Sequence, residues 1–394
     1  MALSRRAFVR TMGLGGPGPW SGAFLAGRGR EAFEAEYASG AQAPPAEDAD
    51  TIRIDSNENP LGPGAHAVEA LMAGFDDAGR YPTNARPSMM ELRDTIAQKR
   101  GVKSEHVILG AGSGEILRNA VRAYTSATRP LATASPSFES PERLAEKIGS
   151  PVRRVPVDSA GRIDIEGMVA AAKGAGLVFF CNPNNPTASV CGSKVVADFV
   201  ARVRRASPDP AILIDEAYHD YVTDASYATA LPVAMAEPNV FITRTFSKAY
   251  GMAGLRIGYA VGQSATMATL GRWTLTFNQN APSVAAAMAS LANPDYIAKE
   301  GARNSEVRDF TMTFFRAAGF KPTDSQGNFV FVDIGRPAAA FRDACRQQKV
   351  SVGRPFPPLD KTFARVSLGT MDEMRRATEV FKKILGVAMT TAAR

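Results

Sequence analysis

At 394 residues the chain is too long for one compact core, and two packed domains with a sizeable interior are expected. Its 45% hydrophobic and 22% charged residues are ordinary for a soluble globular protein, and the lack of any run of eighteen apolar residues argues against a stable membrane span. The formal charge of +7 falls to +2 once Arg5, Arg6, Arg10, Arg28 and Arg30 are set aside, so the body of the chain carries no basic footprint for nucleic acid.

Ser4-Arg5-Arg6-Ala7-Phe8-Val9-Arg10 resembles the twin-arginine export motif, and the stretch from Thr11 to Gly27 is mildly apolar but broken by Pro17 and Pro19. Residues 1–50 are therefore expected to form an export signal and a flexible lead-in, with a periplasmic destination. The alternative is a disordered basic tail on a cytoplasmic protein. Cys181, Cys191 and Cys345 stand at unrelated spacings that suit neither a disulfide framework nor a metal site, and are expected as buried thiols.

From residue 51 short apolar strands alternate with helical segments, the pattern of an α/β protein. Strands are expected at Val107–Leu109, Leu131–Thr133, Leu177–Phe180, Ala211–Ile214, Val240–Ile242 and Arg256–Ala260. Several are apolar throughout, as strands of a parallel sheet buried on both faces should be. Helices are expected at Glu115–Tyr124, Pro141–Lys147 and Ser193–Arg204. Beyond about residue 285 the texture changes. A long helix from Pro294 to Ala318 precedes a strand from Asn328 to Ile334 and a helix from Ala338 to Gln348. A second strand pair at Val350–Val352 and Ala364–Leu368 and a last helix after Asp372 follow. The expected division is a large domain over residues 76–285 and a smaller α+β domain from residues 51–75 with 286–394.

Four segments carry chemistry. Lys248, in Thr245-Phe246-Ser247-Lys248-Ala249-Tyr250-Gly251, lies just past a strand. A lysine held there beside other cations can lose its proton and attack an aldehyde. Upstream, Asp215 ends the apolar run Ala211-Ile212-Leu213-Ile214, a costly place for a carboxylate unless it meets a cation, a metal ion or a loop cap. A protonated ring nitrogen would be such a cation. Asn182-Pro183-Asn184-Asn185-Pro186 is a rigid turn after another buried strand. Gly110-Ala111-Gly112-Ser113-Gly114-Glu115 joins a strand to a helix, where glycines and free N–H groups can close on a phosphate. Its G-x-G-x-G spacing differs from the dinucleotide fingerprint G-x-G-x-x-G. Ser247 and Arg256, in Gly254-Leu255-Arg256, could complete a phosphate cup.

Taken in order, glycine turn, aromatic loop, N-P-x-N-P, D-x-A-Y, S-K and G-x-R resemble the fold-type I, pyridoxal-phosphate-dependent aminotransferases of class I/II. Asp55-Ser56-Asn57-Glu58-Asn59-Pro60-Leu61-Gly62 and Tyr81-Pro82 bring the histidinol-phosphate aminotransferase group nearest. The resemblance runs from about residue 51 to the end. It implies a large domain with a mixed, mostly parallel sheet, a smaller domain that closes on substrate, and a homodimer with the active site at its interface.

The resemblance also implies roles. Lys248 would bond to the aldehyde of pyridoxal 5'-phosphate and later shuttle the proton between the donor's α-carbon and the cofactor. Asp215 would pair with the ring nitrogen, Asn185 and Tyr218 would hydrogen-bond the phenolic oxygen, and Phe138 would stack on the ring. Ser113, Gly114, Glu115, Ser247 and Arg256 would surround the phosphate, with Tyr81 reaching it from the neighbouring subunit. Arg365, in Ala364-Arg365-Val366-Ser367-Leu368-Gly369, would grip the α-carboxylate of an amino acid, Arg354 would face its distal end, and Asn185 would also contact the substrate. The expected reaction moves an amino group from an amino acid, or an amine such as histidinol phosphate, to a 2-oxo acid. A decarboxylase or lyase using the same cofactor, and a non-catalytic binding protein on the same scaffold, stand as alternatives. The sequence departs from the pattern at Ala188, where glycine is usual, at Gly114, where an acidic residue is common, and around Gly353-Arg354-Pro355-Phe356-Pro357-Pro358. The last leaves distal recognition open.

Overall fold

The computed structural model describes residues 50–207 and 209–387, and of these the residues from Ile52 onward form one compact unit. The expected export signal lies outside the described residues. The chain runs β1 (Ile52–Ile54), α1 (Ala65–Gly74), α2 (Met89–Arg100), β2 (Val107–Ala111), α3 (Ser113–Tyr124), β3 (Leu131–Ser135), α4 (Ser140–Lys147), β4 (Val152–Pro156), α5 (Ile165–Ala172) and β5 (Leu177–Cys181). It continues through α6 (Ser193–Ala206), β6 (Ala211–Asp215), α7 (Leu231–Ala236), β7 (Val240–Thr245), β8 (Ile257–Gly262), α8 (Ser264–Gly271), α9 (Ala281–Ala292) and α10 (Pro294–Ala317). The last elements are β9 (Lys321–Pro322), β10 (Phe329–Asp333), α11 (Ala338–Gln347), β11 (Val350–Val352), β12 (Phe363–Ser367) and α12 (Met371–Leu385). No helix among the described residues is long and apolar enough to cross a membrane.

Seven strands form the central sheet in the order β2-β8-β7-β6-β5-β3-β4. Strands β3 to β7 are parallel to their neighbours, and only β8 runs against β2 and β7. The continuous apolar runs are explained by burial on both faces. In β5, Val178 and Phe180 enter one hydrophobic cluster while Leu177 and Phe179 enter the other. The strand β4 escaped the sequence reading because it is an edge. Its Arg153 and Arg154 are exposed, and Arg154 pairs with Glu142 at 2.6 Å on α4. Helix starts follow local chemistry: Ser88 and Glu91 make a reciprocal capping box on α2, and Thr370 and Glu373 make another on α12.

A separate apolar cluster gathers Ile52, Ile54, Phe315, Val330, Val332, Phe341 and Phe381, and serves the C-terminal α+β part. Two expectations about this part need correction. Val350–Val352 does not pair with Ala364–Leu368. It pairs in parallel with Ile52–Ile54, while β12 pairs antiparallel with β10. The boundary expected between residues 285 and 286 falls inside α9, and α1, expected with the smaller part, packs on that helix. Ala67, Val284, Ala286, Ala287 and Leu291 all enter the large cluster around the central sheet. A change of texture in the sequence cannot locate a boundary when an Ala-rich helix is buried along both its halves.

Candidate active site

The carboxyl ends of the parallel strands open onto a cavity of about 350 Å³, the position where open α/β sheets bind ligands. Lys248, Asp215, Tyr218, Asn185, Ser113, Gly114, Phe138, Ser247, Arg256, Arg365 and Arg354 all line it. Each expected site residue but two is thus brought to one place by chain segments far apart in sequence.

Lys248 follows β7, and its Nζ donates to the carbonyls of Asn57 at 3.1 Å and Ser56 at 3.3 Å. Burial lowers its ammonium from the ordinary value to about 8, with Arg365 and Arg256 adding to the shift. The amine is therefore available in neutral form far below the pH at which a surface lysine would provide it. Its Nζ stands 5.7 Å from the centre of the Tyr218 ring.

Asp215 closes β6, the neighbouring strand. Burial raises its carboxyl to about 6, opposed by the Thr243 hydroxyl, which donates to Oδ1 at 2.9 Å. The next residue, Glu216, turns to the other side of the sheet, as strand alternation requires. There it meets Arg244 at 2.8 Å with both side chains buried, and accepts from the backbone N–H of Ala230 at 2.6 Å. Two adjacent acids are thereby separated: one is neutralised by an internal arginine, and the other faces the cavity with a carboxyl held up by burial. A cation placed against Asp215 would restore its charge.

Tyr218 Oη accepts from Asn57 Nδ2 at 3.1 Å and Asn185 Nδ2 at 3.2 Å, and burial holds its phenol well above the usual range. The Oδ1 atom of Asn185 in turn accepts from Arg365 Nη1 at 2.9 Å. Arg365 projects from β12, donates to the carbonyl of Asp55, and keeps its Nε buried with no hydrogen-bond partner. Burial, with Arg354 nearby, lowers it to about 10. A buried donor without a partner at a cavity wall is a place for an anionic ligand atom.

Opposite lies the start of α3. Its N-cap, Gly112, has φ 72° and ψ 163° and offers no side-chain cap, so the N–H groups of the first turn face the cavity end at Ser113 and Gly114. Arg256, itself at φ 56°, crosses this end and donates to Ser247 Oγ at 3.3 Å and to the carbonyl of Ala253 at 2.8 Å. A Cβ on residue 112 would stand 2.1 Å from Arg256 Nη2, so glycine is needed both for its backbone and for the guanidinium to lie where it does.

The two exceptions are Glu115 and Tyr81. Glu115 does not face the cavity: its carboxylate accepts from the N–H of Ala111 at 2.7 Å, from Asn278 Nδ2 at 2.8 Å and from the N–H of Leu275 at 3.1 Å. It ties the glycine turn to the segment after α8, because one residue further along a helix rotates the side chain away by about 100°. Tyr81 is 65% exposed and packs against Phe277 in a tilted arrangement with ring centres 4.8 Å apart, away from this chain's own cavity.

Sequence reading also passed over lining residues. Ser56, Asn57, Glu58, Cys181, Ala217 and Thr245 all border the cavity. Asn57 holds a left-handed backbone at φ 55° and clasps Ser367 by two hydrogen bonds, 2.9 and 2.7 Å long, which fixes the β1 segment against β12. The Asn-rich run that contains it was the available signal. Cys181, Cys191 and Cys345 are buried and free, as expected. Among the described residues no group of His, Cys, Asp and Glu is arranged to hold a metal ion.

Pyridoxal phosphate makes four demands on a site: an anion cradle, a counter-charge for a ring nitrogen, donors for a phenolic oxygen, and an amine for the aldehyde. The α3 turn with Ser247 and Arg256, the carboxylate of Asp215, the pair Asn185–Tyr218, and Lys248 fit them in one cavity, with Phe138 on its wall.

The aminotransferase class I and II family matches residues 49–381. The chain is 37% identical to the histidinol-phosphate aminotransferase of Moorella thermoacetica over 341 residues, 85% of each protein. It is 34% identical to histidinol-phosphate aminotransferase 2 of Pseudomonas aeruginosa, covering 85% of this chain and 89% of that one. Among solved structures it is similar to histidinol-phosphate aminotransferase from Sinorhizobium meliloti in complex with pyridoxal-5'-phosphate, with a TM-score of 0.78, 26% identity and 98% of both chains covered.

Proposed function

The chain belongs to the class I and II aminotransferases and is a pyridoxal-phosphate-dependent aminotransferase, and from that premise we propose how its residues divide the work between an amino acid and a 2-oxo acid. When bound, the cofactor supplies an aldehyde that takes up the amino group and a ring that withdraws electrons from the donor's α-carbon. Ser113, Gly114, Ser247 and Arg256 hold the phosphate by backbone N–H groups, a hydroxyl and a guanidinium. Asp215 stays ionised against the ring nitrogen, and the Asn185–Tyr218 pair hydrogen-bonds the phenolic oxygen. Arg365 would receive the donor's α-carboxylate with its partnerless Nε and hold the donor so that Lys248 Nζ, freed when the donor's amino group takes its place on the aldehyde, could take the α-proton and pass it to the cofactor carbon that carried the aldehyde. A 2-oxo acid then enters the same grip and the sequence reverses.

The observation that carries this reading is the shared cavity of Lys248 and Asp215, with the amine held down near 8 and the carboxyl held up near 6 before any partner is bound. Substituting Lys248→Ala should remove the visible absorption of a lysine-linked cofactor and abolish turnover; a variant that still transaminates would refute the role of the lysine.

We further infer a homodimer, in which Tyr81 of one protomer serves the other. Supporting this, Leu61, Val68, Met72, Phe75, Tyr81, Trp273, Leu275 and Phe277 are exposed large apolar side chains concentrated in two segments, an unusual expense of apolar surface for a monomer. Sedimentation at the mass of a single chain would count against it. The Arg5-Arg6 pair supports export by the twin-arginine route, which carries folded proteins and so allows the cofactor to be loaded beforehand.

A further inference from the structure

We propose that Glu139 sets which amino donors this enzyme prefers, by neutralising the distal arginine Arg354 and so disfavouring donors whose side chain ends in an anion. The inference rests on the reading of Arg365 as the α-carboxylate grip. It concerns what lies beyond that grip.

Arg365 and Arg354 share one aromatic ring. The Arg365 guanidinium lies 4.6 Å from the centre of Phe356 and that of Arg354 lies 4.1 Å from it, so the two cations stand within about 9 Å of each other. A short dicarboxylic amino acid that docks its α-carboxylate on the first carries its second carboxylate within reach of the other. Left alone, Arg354 would make the distal wall a second anion site. It is not left alone. Its Nη1 donates to Glu139 Oε1 at 2.9 Å, while the other oxygen of the same carboxylate, Oε2, accepts from Arg143 at 2.5 Å. Glu139 follows Phe138 directly, so the residue that walls the cofactor cavity and the residue that discharges its distal cation sit on one turn.

Both oxygens of Glu139 are committed, one to each arginine, and this fixes the carboxylate from two directions. Arg143 holds it from its own helix, and Arg354 is brought up from the segment after β11. Past Phe138 a side cavity of about 380 Å³ opens, bordered by Arg118, Arg143, Lys147 and Arg354 around the same Glu139. Glu139 is thus the acid set among four cations next to the substrate cavity. A donor with an anionic tail must displace it from Arg354 or bind with that arginine already paired. A donor with a neutral or aromatic tail meets a wall of Phe138, Phe356 and a balanced ion pair, and loses nothing.

The expected size is modest because the side chains of Arg354 and Glu139 are 43% and 21% exposed. An ion pair of that exposure moves affinity by about two- to fivefold. As a positioning residue acting through Arg354, Glu139 should act on KM for anionic donors and leave kcat largely aside.

The test is steady-state and half-reaction kinetics of the cofactor-loaded enzyme with L-glutamate and L-aspartate against L-phenylalanine and L-leucine. In Glu139→Gln the ratio of kcat/KM for the anionic over the neutral donors should rise about two- to fivefold through KM. Glu139→Asp, which keeps the charge, should hold the wild-type ratio. In an Arg354→Met background, Glu139→Gln should leave the ratio unmoved. A parallel change for all four donors, or no change, overturns the proposal while leaving transamination intact. Failure of the wild-type enzyme to transaminate any of the four overturns the reading it rests on and the proposal with it.

Discussion

Replacing Gly112 by alanine isolates the phosphate cradle from the chemistry. The substitution adds one methyl group and removes no functional atom, yet two costs follow from the structure. At φ 72° and ψ 163° the backbone occupies a region essentially reserved for glycine, and an L-residue held there costs about 1–3 kcal/mol. The new Cβ would also stand 2.1 Å from Arg256 Nη2. The guanidinium is the free end of a flexible side chain and can swing aside, which relieves the clash at the expense of its bond to Ser247, 3.3 Å long in the native arrangement. Losing one charge-assisted contact to a phosphate is worth about 1.5–3 kcal/mol, or roughly ten- to a hundredfold in affinity at 1.4 kcal/mol per decade. Spectroscopic titration of apoenzyme with pyridoxal phosphate should show that loss. Pyridoxal, which lacks the phosphate, should bind wild type and variant alike. If the variant takes up pyridoxal phosphate with native affinity, or if both cofactor forms weaken equally, Arg256 and the α3 turn are not the cradle.

Two further outcomes are expected. Lys248 must be neutral to attack an aldehyde, and burial has lowered its ammonium to about 8. The rate at which apoenzyme captures pyridoxal phosphate should therefore rise with pH up to about 8 and level off above it, since the reactive amine forms as the proton leaves; a rate still climbing toward pH 10 in stopped-flow measurements would show an unperturbed lysine. Replacing Arg5 and Arg6 together by lysine should leave the enzyme active but retained in the cytoplasm on fractionation, and unchanged export would dismiss the twin-arginine reading.

What the sequence determined by itself is what depends on local rules. Apolar runs such as Leu177–Phe180 and Ala211–Ile214 announce strands buried on both faces, and a polar group at the end of such a run must meet a partner or a ligand, which makes it a candidate site. Lys248, Asp215 and the glycine turn before α3 were legible as candidates for that reason, and they do meet at one cavity; the family was legible through the order of its motifs. The tertiary structure alone decided whatever depends on two distant segments meeting. Nothing in Val350–Val352 says that its partner is Ile52–Ile54, since parallel pairing leaves no turn between the strands to be read. The direction of Glu115, one residue past the phosphate turn, was settled by helix rotation and by the N–H groups waiting at Ala111 and Leu275. The meeting of Glu139 with Arg354, 215 positions apart, has no trace in either neighbourhood. A salt bridge between exposed residue types is specified only by the packing that brings its two segments together.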